Sequence, residues 1–81
     1  MPAGGATSID GLTDAITTGY SVGLGTGALA NDDGTNSNTA VGTDSLNTNT
    51  SGHSNSAMGR NALYDNTTGY QNTAIGYEAL T

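Results

Sequence analysis

The sequence lacks most of the residues that small folds use for disulfide bonds, for large hydrophobic contacts and for positive charge. It contains no cysteine, phenylalanine or tryptophan, one proline, one histidine, and Arg60 as its one basic residue of the lysine and arginine type. Without cysteine, neither disulfide bonds nor thiolate chemistry is available. With a net charge of −6 and no basic footprint, binding to nucleic acid or to an anionic membrane surface is not expected.

Long apolar runs are also missing. No stretch approaches the ~20 residues that cross a bilayer, and the N-terminus has no basic region followed by an apolar run. We therefore expect no membrane insertion and see no signal peptide. Only 10% of the residues are charged, which is not the composition of a typical disordered chain. Glycine, threonine, asparagine, serine and alanine dominate instead, and these residues suit tight turns and regular stacking.

One apolar phrase returns every 17 residues without a slip. Its clearest copies are NTAVGTDSLN at 38–47, NSAMGRNALY at 55–64 and NTAIGYEALT at 72–81. The aligned positions form a glycine column (Gly25, Gly42, Gly59, Gly76), a leucine column (Leu29, Leu46, Leu63, Leu80) and an aliphatic column (Leu24, Val41, Met58, Ile75). Loops rich in asparagine, aspartate, threonine, serine and glycine separate the copies. A fixed period of this kind predicts a repeat architecture.

The length of the period favours a β-structure. Helical repeats run to about 33 residues or more, whereas 17 residues suffice for two short strands and two turns. The sequence therefore predicts an all-β fold, a parallel β-solenoid with four 17-residue coils over residues 21–81. Residues 1–20 fit the register badly and are predicted to be a capping or lead-in segment, either a helical turn or a degenerate first coil.

The pairing of apolar residues bears on oligomeric state. Ala40 and Val41 are neighbours, so in a strand one faces into the coil and the other faces out. Ala62 and Leu63 are neighbours in the same way, so both faces of each predicted strand are apolar. This pattern is typical of strands that are covered on both sides. We expect a second copy of the chain to provide this cover, in a homotrimer with intertwined or side-by-side chains around a common axis. The number three does not follow from the period alone.

Each column receives a role in this interpretation. The aliphatic and leucine columns are predicted to supply core and trimer contacts. The glycine column is predicted to mark a bend that a Cβ atom would obstruct. Asn38, Asn55 and Asn72 form a further column, predicted to be a ladder of side-chain amides.

Catalytic and metal chemistry find little support in the sequence. His53 lies in a repeat loop whose equivalent positions hold Asn36 and Tyr70, so we interpret it as an exposed loop residue. The acidic residues form no recurring pair, which argues against an enzyme. The NDDG segment at 31–34 is not repeated in later loops, so a calcium ladder is not expected. No cofactor or metal site is predicted.

Two binding alternatives depend on residues that are expected at the surface. Arg60 and Tyr77 lie one repeat apart and could line a surface that contacts sugars, although a register-supporting pair is the simpler interpretation. Thr39, Ser56 and Thr73 make a partial threonine column of the kind that ice binding requires, but Val22 interrupts it.

The repeated phrases, with the lead-in SIDGLTDAITTGYSVGLGTGALANDDGT, resemble the repeat arrays of phage tail fibres of the marine-phage type. They are also similar to the head repeats of trimeric autotransporter adhesins, which carry a related AIG strand in a shorter unit. The first resemblance implies a structural segment of a trimeric tail fibre on the virion, a rigid shaft or a receptor-binding portion. Its partners would be other fibre or virion proteins and a host cell-surface receptor. The alternative is an adhesin head on the bacterial outer surface that binds host matrix or glycan.

Overall fold

The computed structural model describes residues 19–33 and 36–81, together with the backbone of residues 15–16. In this part of the chain all regular structure is β, which confirms the predicted all-β class. Five strands form one sheet in chain order. They are β1 (Ala15–Ile16), β2 (Val22–Leu24), β3 (Thr39–Val41), β4 (Ser56–Met58) and β5 (Thr73–Ile75). The described residues include no helix of a length and hydrophobicity that would cross a membrane.

Strands β2 to β5 are parallel, and each lies beside its neighbours in the chain. Val22 pairs with Thr39, Thr39 with Ser56, and Ser56 with Thr73, so every strand is offset by one repeat from the next. We call each repeat, from one strand to the start of the next, a coil. The four parallel strands are compatible with the predicted solenoid. β1 pairs antiparallel with β2 at the other end of the sheet, and the rest of the predicted capping segment lies outside the described residues.

Each residue of the glycine column comes directly after one of the strands β2 to β5, at the point where the chain leaves the sheet. Its four residues have φ between 123° and 131°, a backbone conformation that is essentially restricted to glycine. The coils also approach closely here, since a Cβ added to Gly42 would lie 2.7 Å from the carbonyl carbon and oxygen of Gly59. Glycine is therefore required at Gly25, Gly42 and Gly59 both by the φ angle and by the distance between coils, and at Gly76 by the φ angle.

The segment after each glycine is a series of turns and not the second strand predicted from the sequence. Bonds of the i to i+3 type run from Ser45 N–H to the Gly42 carbonyl (3.2 Å) and from Asn49 N–H to the Leu46 carbonyl (3.3 Å). The leucine column adopts φ of 52–54°, which is incompatible with an extended strand. The prediction of two strands per coil is wrong because these left-handed residues fold the chain back.

The hydrophobic core is small and lies between the strands and the turns. Among the residues that the structure describes, eight hydrophobic ones are buried, of which five are alanines and three are leucines. They are Ala28, Leu29, Ala40, Leu46, Ala57, Ala62, Leu63 and Ala74. Ala62 and Leu63 are both buried, so the prediction that they face opposite sides is wrong. Leu80 belongs to the same column but is 63% exposed.

The buried Oγ of Ser45 has no hydrogen-bond partner among the described residues. Ala28, Ala62 and Ala79 occupy the equivalent position of the other coils. Because an unsatisfied buried polar group costs about 1–3 kcal/mol, Ser45→Ala is expected to raise the free energy of unfolding by about 1 kcal/mol. Chemical denaturation checks this, with the exposed Ser51→Ala as a control that changes little. A destabilised Ser45→Ala variant would contradict the assignment of an unsatisfied hydroxyl.

Candidate functional site

The strands present a continuous surface to solvent. The middle residue of each of the strands β2 to β5 is buried, and the residues on either side of it point outward because side chains alternate along a strand. We call the outward-pointing set the outer strand face. It consists of Val22, Leu24, Thr39, Val41, Ser56, Met58, Thr73 and Ile75.

The aliphatic column forms one half of the outer strand face. Leu24 is 36% exposed, Met58 50% and Ile75 64%, and Val41 is half-buried. Because parallel strands stack about 4.8 Å apart, these side chains form an unbroken apolar ridge. Such a ridge is suited to packing against another apolar surface.

The other half of the face is a column of small hydroxyl residues. Thr39, Ser56 and Thr73 are exposed, and Val22 occupies their position in the first coil with 39% exposure. None of the eight residues of the outer strand face is charged. Close approach of another chain to this face would therefore bury no ionised group, so the desolvation cost of such a contact is low.

Side-chain amides hold the coils in register behind this face. The Asn38 Oδ1 accepts the backbone N–H of Asn55 (2.9 Å), and the Asn55 Oδ1 accepts that of Asn72 (3.0 Å). Ser21 begins the series, since its Oγ accepts the N–H of Asn38 (3.1 Å). Each amide also donates within its own coil, as Asn55 Nδ2 does to the Gly69 carbonyl (2.9 Å). The predicted asparagine ladder is thus a ladder from side chain to backbone.

A second polar ladder runs through the loops. The Asn66 Nδ2 donates to the Asn49 Oδ1 (3.0 Å), and the Asn49 Nδ2 donates to the Asp32 Oδ1 (2.8 Å). The same Asp32 oxygen accepts from the amides of Asn36 (2.9 Å) and Asn38 (3.0 Å). A carboxylate can only accept, so Asp32 ends a series of bonds that all point toward the first coil.

The first ladder predicts unequal effects for two asparagines of one column. Asn55→Ala removes an acceptor and a donor from a buried site, and is expected to lower the free energy of unfolding by about 2–3 kcal/mol. Asn72 is half-buried, and its side chain makes no hydrogen bond to another described residue, so Asn72→Ala is expected to cost less than about 1 kcal/mol. Equal losses in chemical denaturation would contradict the role given to the Asn55 amide.

Aromatic and basic side chains lie in the turns and loops that connect the strands. The Arg60 guanidinium lies 5.9 Å from the centre of the Tyr77 ring, at cation–π distance. The rings of His53 and Tyr70 stack with centroids 5.0 Å apart and an interplanar angle of 7°. All four side chains are exposed. Both contacts join side chains that lie one repeat apart in the sequence.

His53 is an exposed residue with few contacts to its side chain. Its Nδ1 lies 3.5 Å from the Ser54 hydroxyl, and the part of the chain that the structure describes brings no carboxylate into hydrogen-bond contact with it. Within the same residues, no group of three or more histidine or acidic side chains is arranged as a metal site.

The leucine and aliphatic columns, which were both predicted to supply core and trimer contacts, lie in different places. The first three members of the leucine column pack inside their own chain, whereas the aliphatic column lies on the outer strand face. Sequence reasoning missed the hydroxyl column as part of the same face, although its residues lie two positions before the aliphatic column in every copy. Comparison with known protein families, curated proteins and solved structures finds no match to the chain.

Proposed function

We propose that the chain is a structural segment of a trimeric phage tail fibre, in which three parallel β-solenoids pack around a common axis through their outer strand faces. The observation that carries the proposal is the exposed aliphatic column on a sheet face without charge. Soluble chains rarely leave a continuous apolar patch of this kind uncovered. A second copy is the most economical cover, because it brings the same ridge with the same spacing.

The small core supports the need for a partner chain. In the described part of the chain five alanines and three leucines are buried, and burial of a leucine side chain contributes about 1.5–3 kcal/mol. Small chains with so little core are usually stabilised by disulfides, metals or oligomerisation, and this sequence has no cysteine. Packing Leu24, Met58 and Ile75 against neighbouring chains would add large side chains to the buried set.

Rotational symmetry around the stacking direction suits the parallel strands. Each aliphatic column runs along the direction in which the coils stack, so chains related by rotation about that direction would meet along the whole column. The number three rests on the resemblance of the repeats to those of phage tail fibres.

A stack of this kind would act as a rigid spacer. Backbone bonds connect every coil to the next, for example from Gly59 N–H to the Val41 carbonyl (2.8 Å), and such a continuous ladder resists local opening. In the proposed setting the segment is part of the virion tail fibre, bound to other fibre or virion proteins. It serves as shaft or as receptor-binding portion, and the exposed loop residues Tyr70 and Tyr77 are available to a host receptor.

Electron microscopy of particles labelled with an antibody against the recombinant chain tests this function. Gold label along thin fibres attached to phage tails is the expected result. Label on the bacterial outer surface in the absence of phage would overturn the phage assignment and favour the adhesin alternative. Pre-immune serum from the same animal is the matched control.

A further inference from the structure

The repeat makes the axial register of neighbouring chains a problem of its own. Because the coils share one period and one pattern, a chain shifted by one coil along the stacking direction would still place a strand opposite a strand. A shifted contact between identical chains gives an open helical assembly and not a closed ring. A closed assembly therefore needs a feature of the outer strand face that distinguishes one coil from the next.

Strands β3 and β4 differ in the shape of their outward side chains. In β3 these are Thr39 and Val41, which are both short and β-branched. In β4 they are Ser56, the smallest residue of the hydroxyl column, and Met58, the longest residue of the aliphatic column. Each of the two strands is paired on both sides, so Met58 is 50% exposed with a coil above it and a coil below it.

The hydroxyl column is defined by the size of its residues and not by their hydrogen bonds. Val22, which has the shape of a threonine, occupies the position in the first coil. Within the described residues, the hydroxyl groups of Thr39, Ser56 and Thr73 make no hydrogen bond. Ser56 lacks the methyl group that the other three residues carry on Cβ. The column is thus a row of short side chains with a notch at Ser56.

The symmetry of the proposed trimer brings the two columns together. The outer strand faces point toward the common axis, and the strands lie across it, so each strand runs around the axis in the same sense in all three chains. The end of a strand in one chain then lies beside the start of the same strand in the next chain, which is a heterologous contact. The aliphatic column, at the strand ends, meets the hydroxyl column, at the strand starts.

We propose that Met58 of each chain packs into the notch at Ser56 of the next chain and thereby fixes the register of the assembly. This inference rests on the proposed trimer. In register, the longest side chain meets the smallest, and the shorter Val41 meets Thr39. A slip of one coil sets Met58 against Thr39 or Thr73, where the additional methyl group overpacks the contact. Single unequal positions specify register in the same way in coiled coils.

A sample without substitutions tests the contact directly. Chain labelled with ¹³C at the methionine methyl groups is mixed with unlabelled chain, and the two are unfolded and refolded together. The sequence contains two methionines, of which Met58 is one, so the methyl spectrum is simple. We expect nuclear Overhauser effects between the Met58 methyl group of a labelled chain and the Ser56 protons of an unlabelled chain. Such effects to Thr39 or Thr73 would show a slip of one coil and overturn the proposal.

Substitutions test the same contact through the strength of association. Ser56→Met fills the notch and is expected to lower the association constant of the trimer about tenfold or more. Adding Met58→Ser restores a long side chain opposite a short one and should recover most of that loss. Adding Met58→Ser to Thr39→Met is the matched control and should recover nothing, because these positions do not meet in register. All three residues are exposed in the single chain, so the substitutions act on assembly.

Sedimentation equilibrium of the same samples separates this inference from the proposed function. A trimer in which Met58 makes no contact to Ser56 of another chain overturns the register and leaves the trimer standing. Recovery of the Thr39→Met variant by Met58→Ser, without recovery of Ser56→Met, also overturns it, because the contact then lies one coil away. A folded monomer overturns the proposed trimer and the register with it.

Discussion

Replacing Gly42 by alanine is expected to lower the free energy of unfolding by about 3 kcal/mol or more, a large fraction of the stability of a small domain. Two costs combine at this position. The φ angle of 130° lies in a region where a residue with a side chain costs about 1–3 kcal/mol. The added Cβ would also lie 2.7 Å from the carbonyl of Gly59, so the coils would have to move apart and lengthen their shared hydrogen bonds.

Gly76 provides a matched control for this prediction. Its φ of 131° is nearly the same, but a Cβ there meets only the Ala79 side chain, at an ordinary contact distance of 3.9 Å. Gly76→Ala should therefore show the conformational cost alone, about 1–3 kcal/mol. Denaturant unfolding of the two variants measures the difference. If both lose the same stability, close packing of coils is not what requires glycine in this column.

The second large effect is expected at Met58. Met58→Asp places a carboxylate in the centre of the outer strand face, where Met58 is 50% exposed in the single chain. In the proposed trimer three such carboxylates would be buried near one axis, and burying an unpaired charge costs several kcal/mol. We expect the variant to dissociate to monomers at concentrations where the unmodified chain is a trimer, and its melting temperature to fall.

The control for Met58→Asp adds the same charge away from the face. Thr43 is exposed on the turn, and Arg60 occupies the equivalent position of the next coil, so Thr43→Asp should leave the assembly and the melting temperature nearly unchanged. Sedimentation equilibrium of both variants gives the comparison. A trimer that survives Met58→Asp would place the subunit contacts on another surface.

Much of the strand arrangement could be predicted from the sequence. The period of 17 residues appears in the structure as the offset between paired residues such as Ala40 and Ala57. Strand alternation, which depends only on local geometry, predicted that one of the neighbours Ala40 and Val41 faces into the coil. In the structure Ala40 is the buried one. Asn38 and Asn55 were recognised as one column, and identical residues in a parallel stack lie above one another.

The turns could not be predicted because their conformation is set by contacts between coils. Leucine rarely adopts a positive φ, so nothing local indicated that Leu46 would do so at 52°. The Leu46 N–H donates to the Ala62 carbonyl of the next coil (2.9 Å), and the side chain is fully buried. Burial and the bond between coils offset the cost of the left-handed backbone. The predicted second strand failed for this reason.

The role of Asp32 as the final acceptor of the second ladder also could not be predicted from the sequence. Asp32 shares its column with Asn49 and Asn66, and by composition it suggested only a turn or a weak calcium motif. In the structure its Oδ1 accepts three side-chain amides. The direction of a hydrogen-bond series is decided by which residue at its end lacks a donor, and this requires knowing which side chains meet.

The mass of the folded chain in solution is the most direct test of the account. The central claim is that the outer strand face is covered by two further copies, so sedimentation equilibrium should give about three times the chain mass of 8.0 kDa. Circular dichroism on the same sample should show β-structure. A folded, β-rich species at the mass of a single chain would contradict the claim, because the aliphatic column would then be stable while exposed to water.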